Sequence, residues 1–129
     1  MTGSILAIDQ GTSSSRAIVF AQDGTVLGVG QEPFDMSFPA DGWVEQDPEI
    51  LWETTLRSIR AALATAGVAA TSLAAVGITN QRETTLVWER ATGRAVHNAI
   101  VWQDRRTAGR CQALRADGLA DQVARETGL

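Results

Sequence analysis

Apolar residues open the chain as a short run, Ile5-Leu6-Ala7-Ile8, which Asp9 cuts off. A run of that length bounded by polar residues predicts a buried strand, here Ser4 to Asp9. The polar stretch Gln10 to Ser15 predicts a turn, and Ile18, Val19 and Phe20 predict a second strand over Arg16 to Ala21. Gln22-Asp23-Gly24 has hairpin chemistry, because Asp-Gly supplies the positive φ that tight turns need. A third strand is expected over Thr25 to Gln31, where Gly28 and Gly30 alternate with Leu27 and Val29. Glycines on one strand face leave it nearly bare, so a neighbouring element is expected to pack closely there.

The segment from Phe34 to Val44 has no period and contains Pro39 and Gly42. A helix then begins with Asp47 as N-cap, Pro48 in its first turn and Glu49 at its positive end, and Gly67 is its natural stop. Trp52, Leu56, Ile59 and Leu63 recur at helical spacing and predict the buried stripe. Further strands are expected over Leu73 to Thr79 (buried), Thr84 to Glu89 and Val96 to Trp102, with a turn at Ala91 to Arg94. From Asp104 the pattern is helical, broken near Asp117-Gly118 and resuming to about Glu126. Three adjacent antiparallel strands, a helix and a return strand imply an α/β domain with a mixed sheet and helices on its faces.

Composition narrows what such a domain does. At 129 residues and 44% hydrophobic, the chain is long enough and apolar enough for one packed domain. No apolar run approaches the roughly 18 residues of a membrane span, and no signal-peptide pattern is evident. The net charge of −4 argues against nucleic acid as the main partner. Every basic residue is arginine. A P-loop of the Gly-Lys-Ser/Thr type is therefore excluded, as is a catalytic lysine within this chain. Cys111 is the single cysteine and His97 the single histidine, so neither an intrachain disulfide nor a Cys-rich zinc site can form. A reducing, cytoplasmic setting fits that usage.

Three segments carry candidate chemistry. Between the first two strands, Gly11 lets backbone approach a ligand, and Thr12, Ser13 and Ser14 place hydroxyl and amide donors in a row, as phosphate oxygens require. Asp9 ends a strand where it could hold Mg²⁺ directly or through water, and Arg16 adds a fixed charge for a polyphosphate. The competing reading is a Ser/Thr-rich hairpin bonding its own backbone. In Gly77 to Thr85, Arg82 offers donors and Glu83 accepts, the pair of functions a small polyol needs, since each hydroxyl both donates and accepts. Successive strand residues point to opposite faces, so both reach one ligand only where the backbone leaves strand geometry. The competing reading is a solvated charge pair. In Asn98 to Thr107, the Trp102 indole could cover the carbon side of a polyol or be plain core. Asp104 is read as a helix cap and Arg105 and Arg106 as solvated.

The phosphate turn, an apolar strand followed by Asp-x-Gly-Thr, resembles the first phosphate loop of the superfamily that joins actin, sugar kinases and chaperone ATPases. The stretches Asp9 to Arg16, Gly42 to Pro48, Ile78 to Thr85 and Asn98 to Thr107 together resemble the FGGY carbohydrate kinase family, and Asn80-Gln81-Arg82-Glu83-Thr84 resembles its glycerol-phosphorylating members. Family members commonly carry Thr where this chain has Ser13. The resemblance implies the N-terminal part of an actin-like ATPase (ribonuclease H-like) domain. It implies that Asp9, Gly11, Thr12, Ser13, Ser14 and Arg16 serve ATP, with Asp9 near Mg²⁺. It implies that Arg82, Glu83 and Trp102 hold glycerol. The catalytic Asp, the adenine pocket and a second domain are expected beyond Leu129, so residues 1–129 are expected to form a partial domain with no turnover of its own. Oligomerisation of a complete enzyme stays open. Two alternatives remain at this point: another sugar kinase of the family, and an ATPase-fold module that binds a partner without catalysis.

Overall fold

In the computed structural model, which describes residues 3–128, the apolar runs at the N-terminus form strands β1 (Ser4–Gln10), β2 (Ser14–Phe20) and β3 (Val26–Pro33). β1 and β2 pair antiparallel, as do β2 and β3. The chain next forms β4 (Glu45–Gln46), helix α1 (Pro48–Ala66) and a single 3-10 turn at Ala70–Ser72. It returns as β5 (Leu73–Thr79), which pairs parallel to β1 and completes a mixed sheet of order β3-β2-β1-β5. β6 (Ala99–Ile100) pairs only with β4, and helices α2 (Ala108–Ala116) and α3 (Ala120–Thr127) end the described chain. No helix among the described residues is long and apolar enough to cross a membrane.

α1 is capped as its sequence dictates. The Asp47 carboxylate accepts from the Glu49 N–H at 2.9 Å. Gly67 takes the left-handed conformation, φ 64°, that ends the helix without a Cβ penalty. The face it buries differs from the expected stripe. Thr54, Ser58 and Ala62 are the buried residues, Ile59 and Leu63 are partly buried, and Trp52 is 60% exposed. The reason lies in β3. A Cβ on Gly28 would lie 2.4 Å from the Ala62 carbonyl oxygen, and one on Gly30 would lie 2.1 Å from that of Ser58. The bare strand lets the helix backbone come down onto the sheet, and only small side chains fit beneath it. The polar ones are satisfied there: Ser15 Oγ shares a hydrogen bond with Thr54 Oγ1 at 3.0 Å, and Ser58 Oγ donates to the Ser15 carbonyl at 3.0 Å. Leu6, Ala17, Val19 and Ala62 form the core of this contact.

Three further expectations are corrected. β5 is a strand but not a buried one: after Leu73 every residue in it is exposed, and Ile78 is 73% exposed. Thr84 to Glu89 and Val96 to Trp102 are not continuous strands. Their backbones pair through the isolated bridges Thr85–Ile100 and Trp88–Ala95, and two residues of the second segment form β6. α2 and α3 break at Asp117-Gly118 as expected, yet neither has a buried residue.

Candidate functional site

The carboxyl end of β1 and the end of β5 lie side by side, because Asp9 pairs with Thr79 in the parallel register. Whatever leaves these two strands therefore emerges at one edge of the sheet. From β1 comes the turn Gly11 to Ser13; from β5 comes the segment Asn80 to Thr84. Asp9 itself lies inside β1, one residue short of the turn, opposite Arg16 of β2.

The turn is closed by the Gly11 N–H donating to the Ser14 carbonyl at 3.1 Å. A Cβ at Gly11 would sit 3.0 Å from that same oxygen, so glycine is the residue that fits. Ser13 is exposed, and Thr12 is half-buried. The Ser14 hydroxyl accepts from Gln31 Nε2 at 3.0 Å and keeps its own proton to donate. Ser15 points to the other face and pins the turn to α1. The Arg16 Nε is buried without a hydrogen-bond partner. Among the described residues no group of three His, Cys, Asp or Glu side chains stands together as a metal cage. Mg²⁺ needs none, since it takes one or two carboxylates and completes its shell with phosphate and water.

The polyol candidates meet the turn. Glu83 has φ 68°, the left-handed region, so the backbone turns sharply between it and Arg82. This is the departure from strand geometry that lets both residues face one opening. Arg82, Glu83, Trp102, Thr12 and Gln81 line a cavity of about 320 Å³. Trp102 is 50% exposed, so its indole is not core, and its Nε1–H donates to Thr12 Oγ1 at 3.0 Å. Thr12, Arg82, Glu83 and Trp102 thus line one opening, while Asp9, Gly11, Ser13, Ser14 and Arg16 lie on the paired ends of β1 and β2 and the turn between them.

The residues that brace the site were not anticipated. Gln46 is 1% exposed and Gln81 is 8% exposed. Gln46 Nε2 donates to the Thr12 carbonyl at 2.6 Å, and Gln81 Nε2 donates to both Gln46 Oε1 and Gln10 Oε1, at 2.9 and 3.0 Å. The available signal was the presence of both glutamines inside the stretches that carry the resemblance.

A second, charged cluster includes Asp104 and Arg106, which follow Trp102 in the chain. Asp104 does not cap a helix: its carboxylate accepts the Val44 N–H at 2.7 Å and a two-point contact from the Arg106 guanidinium at 2.9 Å each. Arg106 is not solvated either. It also donates to Glu45 at 2.8 Å and stacks 3.9 Å from the centre of the Trp43 ring. Asn98 completes the Glu45 carboxylate at 3.1 Å. The Arg106 guanidinium lowers both carboxyls from their ordinary values, Asp104 to about 2. Groups whose folded pKa is depressed stabilise the fold above their unfolded pKa and lose that contribution as pH falls through the folded value. The melting temperature is therefore expected to fall as pH drops from near 3.8 towards about 2. Asp104→Asn should flatten that dependence while lowering the melting temperature at neutral pH. Thermal melts across this pH range check both; an unchanged slope in Asp104→Asn contradicts the assignment.

An antiparallel hairpin extended by a parallel strand into a mixed sheet, with helix α1 against it, is the arrangement of the actin-like ATPase fold as sugar kinases carry it. Residues 4–129 match the FGGY family of carbohydrate kinases, N-terminal domain, and the chain belongs to that family. Over its whole length it is 59% identical to a glycerol kinase of Sinorhizobium fredii and 57% identical to one of Agrobacterium fabrum, and it spans 26% of the length of each. Among solved structures, a glycerol kinase of Plasmodium falciparum with ADP is 28% identical, with TM-score 0.77 over 89% of this chain and 23% of that one. A gluconate kinase of Lactobacillus acidophilus shares the fold at TM-score 0.88 and 19% identity, over 100% of this chain and 25% of that one. The chain thus spans about a quarter of the length of the relatives it matches.

Proposed function

We propose that this domain supplies the polyol grip and the first phosphate loop of a kinase that transfers the γ-phosphoryl group of ATP to glycerol, giving sn-glycerol 3-phosphate and ADP. The observation that carries this reading is the Trp102–Thr12 hydrogen bond, which joins the two grips in one opening. In-line transfer needs donor and acceptor held together at reacting distance, and positioning with charge stabilisation is most of what such an enzyme does. Arg82 donates to glycerol oxygens, Glu83 accepts from its hydroxyls, and Trp102 covers its carbon side. Thr12, Ser13 and Ser14, with the amides beside Gly11, hold phosphate oxygens, and Arg16 offsets their charge. Asp9 would hold Mg²⁺, directly or through water; when bound, the ion neutralises charge on the phosphates. The identity to glycerol kinases favours glycerol over a larger sugar.

On this reading residues 1–129 are part of a larger kinase, cytoplasmic in setting, whose base and adenine pocket lie beyond the described residues. A full-length kinase bearing this segment is expected to phosphorylate glycerol in a coupled ADP-release assay and to prefer it over xylulose and gluconate. The 129-residue chain alone is expected to show no turnover. Preference for a larger sugar would replace the substrate, and ordinary turnover by the chain alone would overturn the placement of the base.

A further inference from the structure

The hydrogen bonds between the two grips close on themselves. Gln46 Nε2 donates to the Thr12 carbonyl at 2.6 Å, and Gln81 Nε2 donates to Gln46 Oε1 at 2.9 Å. Thr84 Oγ1 donates to Gln81 Oε1 and accepts the Trp102 backbone N–H, each at 3.3 Å. Trp102 Nε1–H returns to Thr12 Oγ1 at 3.0 Å. The circuit draws on the turn after β1, on β4, on the segment after β5 and on the segment after β6. No continuous secondary structure joins these four pieces at the opening.

Directionality makes the circuit specific. The remaining Gln81 N–H goes to Gln10 Oε1 at 3.0 Å, so both of its amide protons are used. Turning either amide over would set oxygen against oxygen at a site that water barely reaches, which is costly. Because Trp102 donates to Thr12 Oγ1, the Thr12 hydroxyl must direct its own proton elsewhere. Thr12 lines the cavity, so a ligand bound there comes within reach of that proton. A polyol that settles against the Trp102 indole therefore also sets the donor that meets a phosphate oxygen.

We infer that Gln46 and Gln81 are positioning residues that couple polyol binding to the phosphate turn, an inference that rests on the kinase reading above. Neither is assigned a contact with the reacting atoms; each fixes Thr12 relative to Arg82, Glu83 and Trp102. Removing either amide opens the circuit and lets the two grips bind their ligands independently.

The test uses a full-length kinase bearing this segment, with Gln46→Met and Gln81→Met as variants of similar shape that cannot bridge. Calorimetry measures glycerol affinity with and without a non-hydrolysable ATP analogue, and the analogue's affinity with and without glycerol. Coupling must be reciprocal, and in the parent each ligand is expected to tighten the other by a factor within the usual range of roughly 5–150. In either variant that factor is expected to fall to within about twofold of unity, while each ligand alone binds within about threefold of the parent. kcat should fall about tenfold or more with little change in KM, as expected when a reacting pair is held less accurately. The double variant should cost little more than either single one, since one open circuit is opened only once. Unchanged coupling in both variants overturns the inference, as does a parallel loss of both single-ligand affinities with a lower melting temperature, the mark of a purely structural role. If Gln46→Met does not fold, Gln81→Met alone decides. A parent that binds glycerol and the analogue without mutual effect overturns the inference but leaves the kinase reading standing. A parent that does not bind glycerol overturns both.

Discussion

Arg82→Ala, in a full-length kinase bearing this segment, is expected to lower kcat/KM for glycerol by roughly 10- to 150-fold, the equivalent of losing a charge-assisted hydrogen bond of about 1.5–3 kcal/mol. Arg82 sits at the end of β5 with no protein partner for its guanidinium among the described residues, and it lines the same cavity as Glu83 and Trp102. Truncation therefore removes little that the fold uses. On the proposed reading it removes the donor half of the polyol grip and leaves the Glu83 acceptor without its complement. ATP binding should change far less, because the phosphate turn draws its donors from Thr12, Ser13 and Ser14 on another strand connection. Steady-state kinetics with each substrate varied in turn separates the two effects. An unchanged kcat/KM for glycerol would remove Arg82 from the site.

Gly30→Val is expected to have the largest effect on stability, a loss of about 3 kcal/mol or more, at the upper end of what overpacking ordinarily costs. A Cβ there would lie 2.1 Å from the Ser58 carbonyl oxygen and 2.9 Å from both the Ala62 nitrogen and the Ala61 Cβ. The obstruction is mostly helix backbone, so no rotamer change relieves it. α1 would have to lift from the sheet, and the Ser58–Ser15 bond that pins the phosphate turn would go with it. Gly77→Ala is the control, because an added Cβ at Gly77 meets nothing within 4 Å. Thermal or denaturant melts of the two variants should differ on the order of 10 °C in midpoint. Similar melts would mean that the helix does not sit as close to β3 as described.

What the sequence made legible follows from how local each signal is. The caps of α1, Asp47 and Gly67, act within a few residues of themselves and can be read directly. The glycines of β3 announce a close neighbour, and α1 is that neighbour. Which face of α1 docks was not legible from periodicity, because the large apolar side chains that make the period conspicuous are the ones a bare strand cannot admit. Thr84 to Glu89 and Val96 to Trp102 have strand composition, yet they meet through isolated bridges, since pairing needs a partner that local propensity does not provide. Arg106 reads as solvated because its partner Glu45 lies 61 residues away in sequence. Gln46 and Gln81 carry no local signal of burial, and the tertiary fold buries them against each other. Of the residues that line the opening, Thr12, Arg82, Glu83 and Trp102 were singled out by their chemistry and by family resemblance, and Gln81 was not. Their common edge depends on the parallel β1–β5 register, a long-range contact.

The left-handed backbone of Glu83 bears on how such a domain responds to selection for robustness. A non-glycine residue held at φ 68° gives up on the order of 1–3 kcal/mol of stability, and glycine would occupy the same backbone without that loss. A screen that rewards heat resistance alone would therefore favour discarding the carboxylate at this position, and on the proposed reading it would discard the acceptor half of the polyol grip with it. Robustness and ligand recognition pull in opposite directions at Glu83, so stabilising changes are better sought elsewhere, at surface positions remote from the opening.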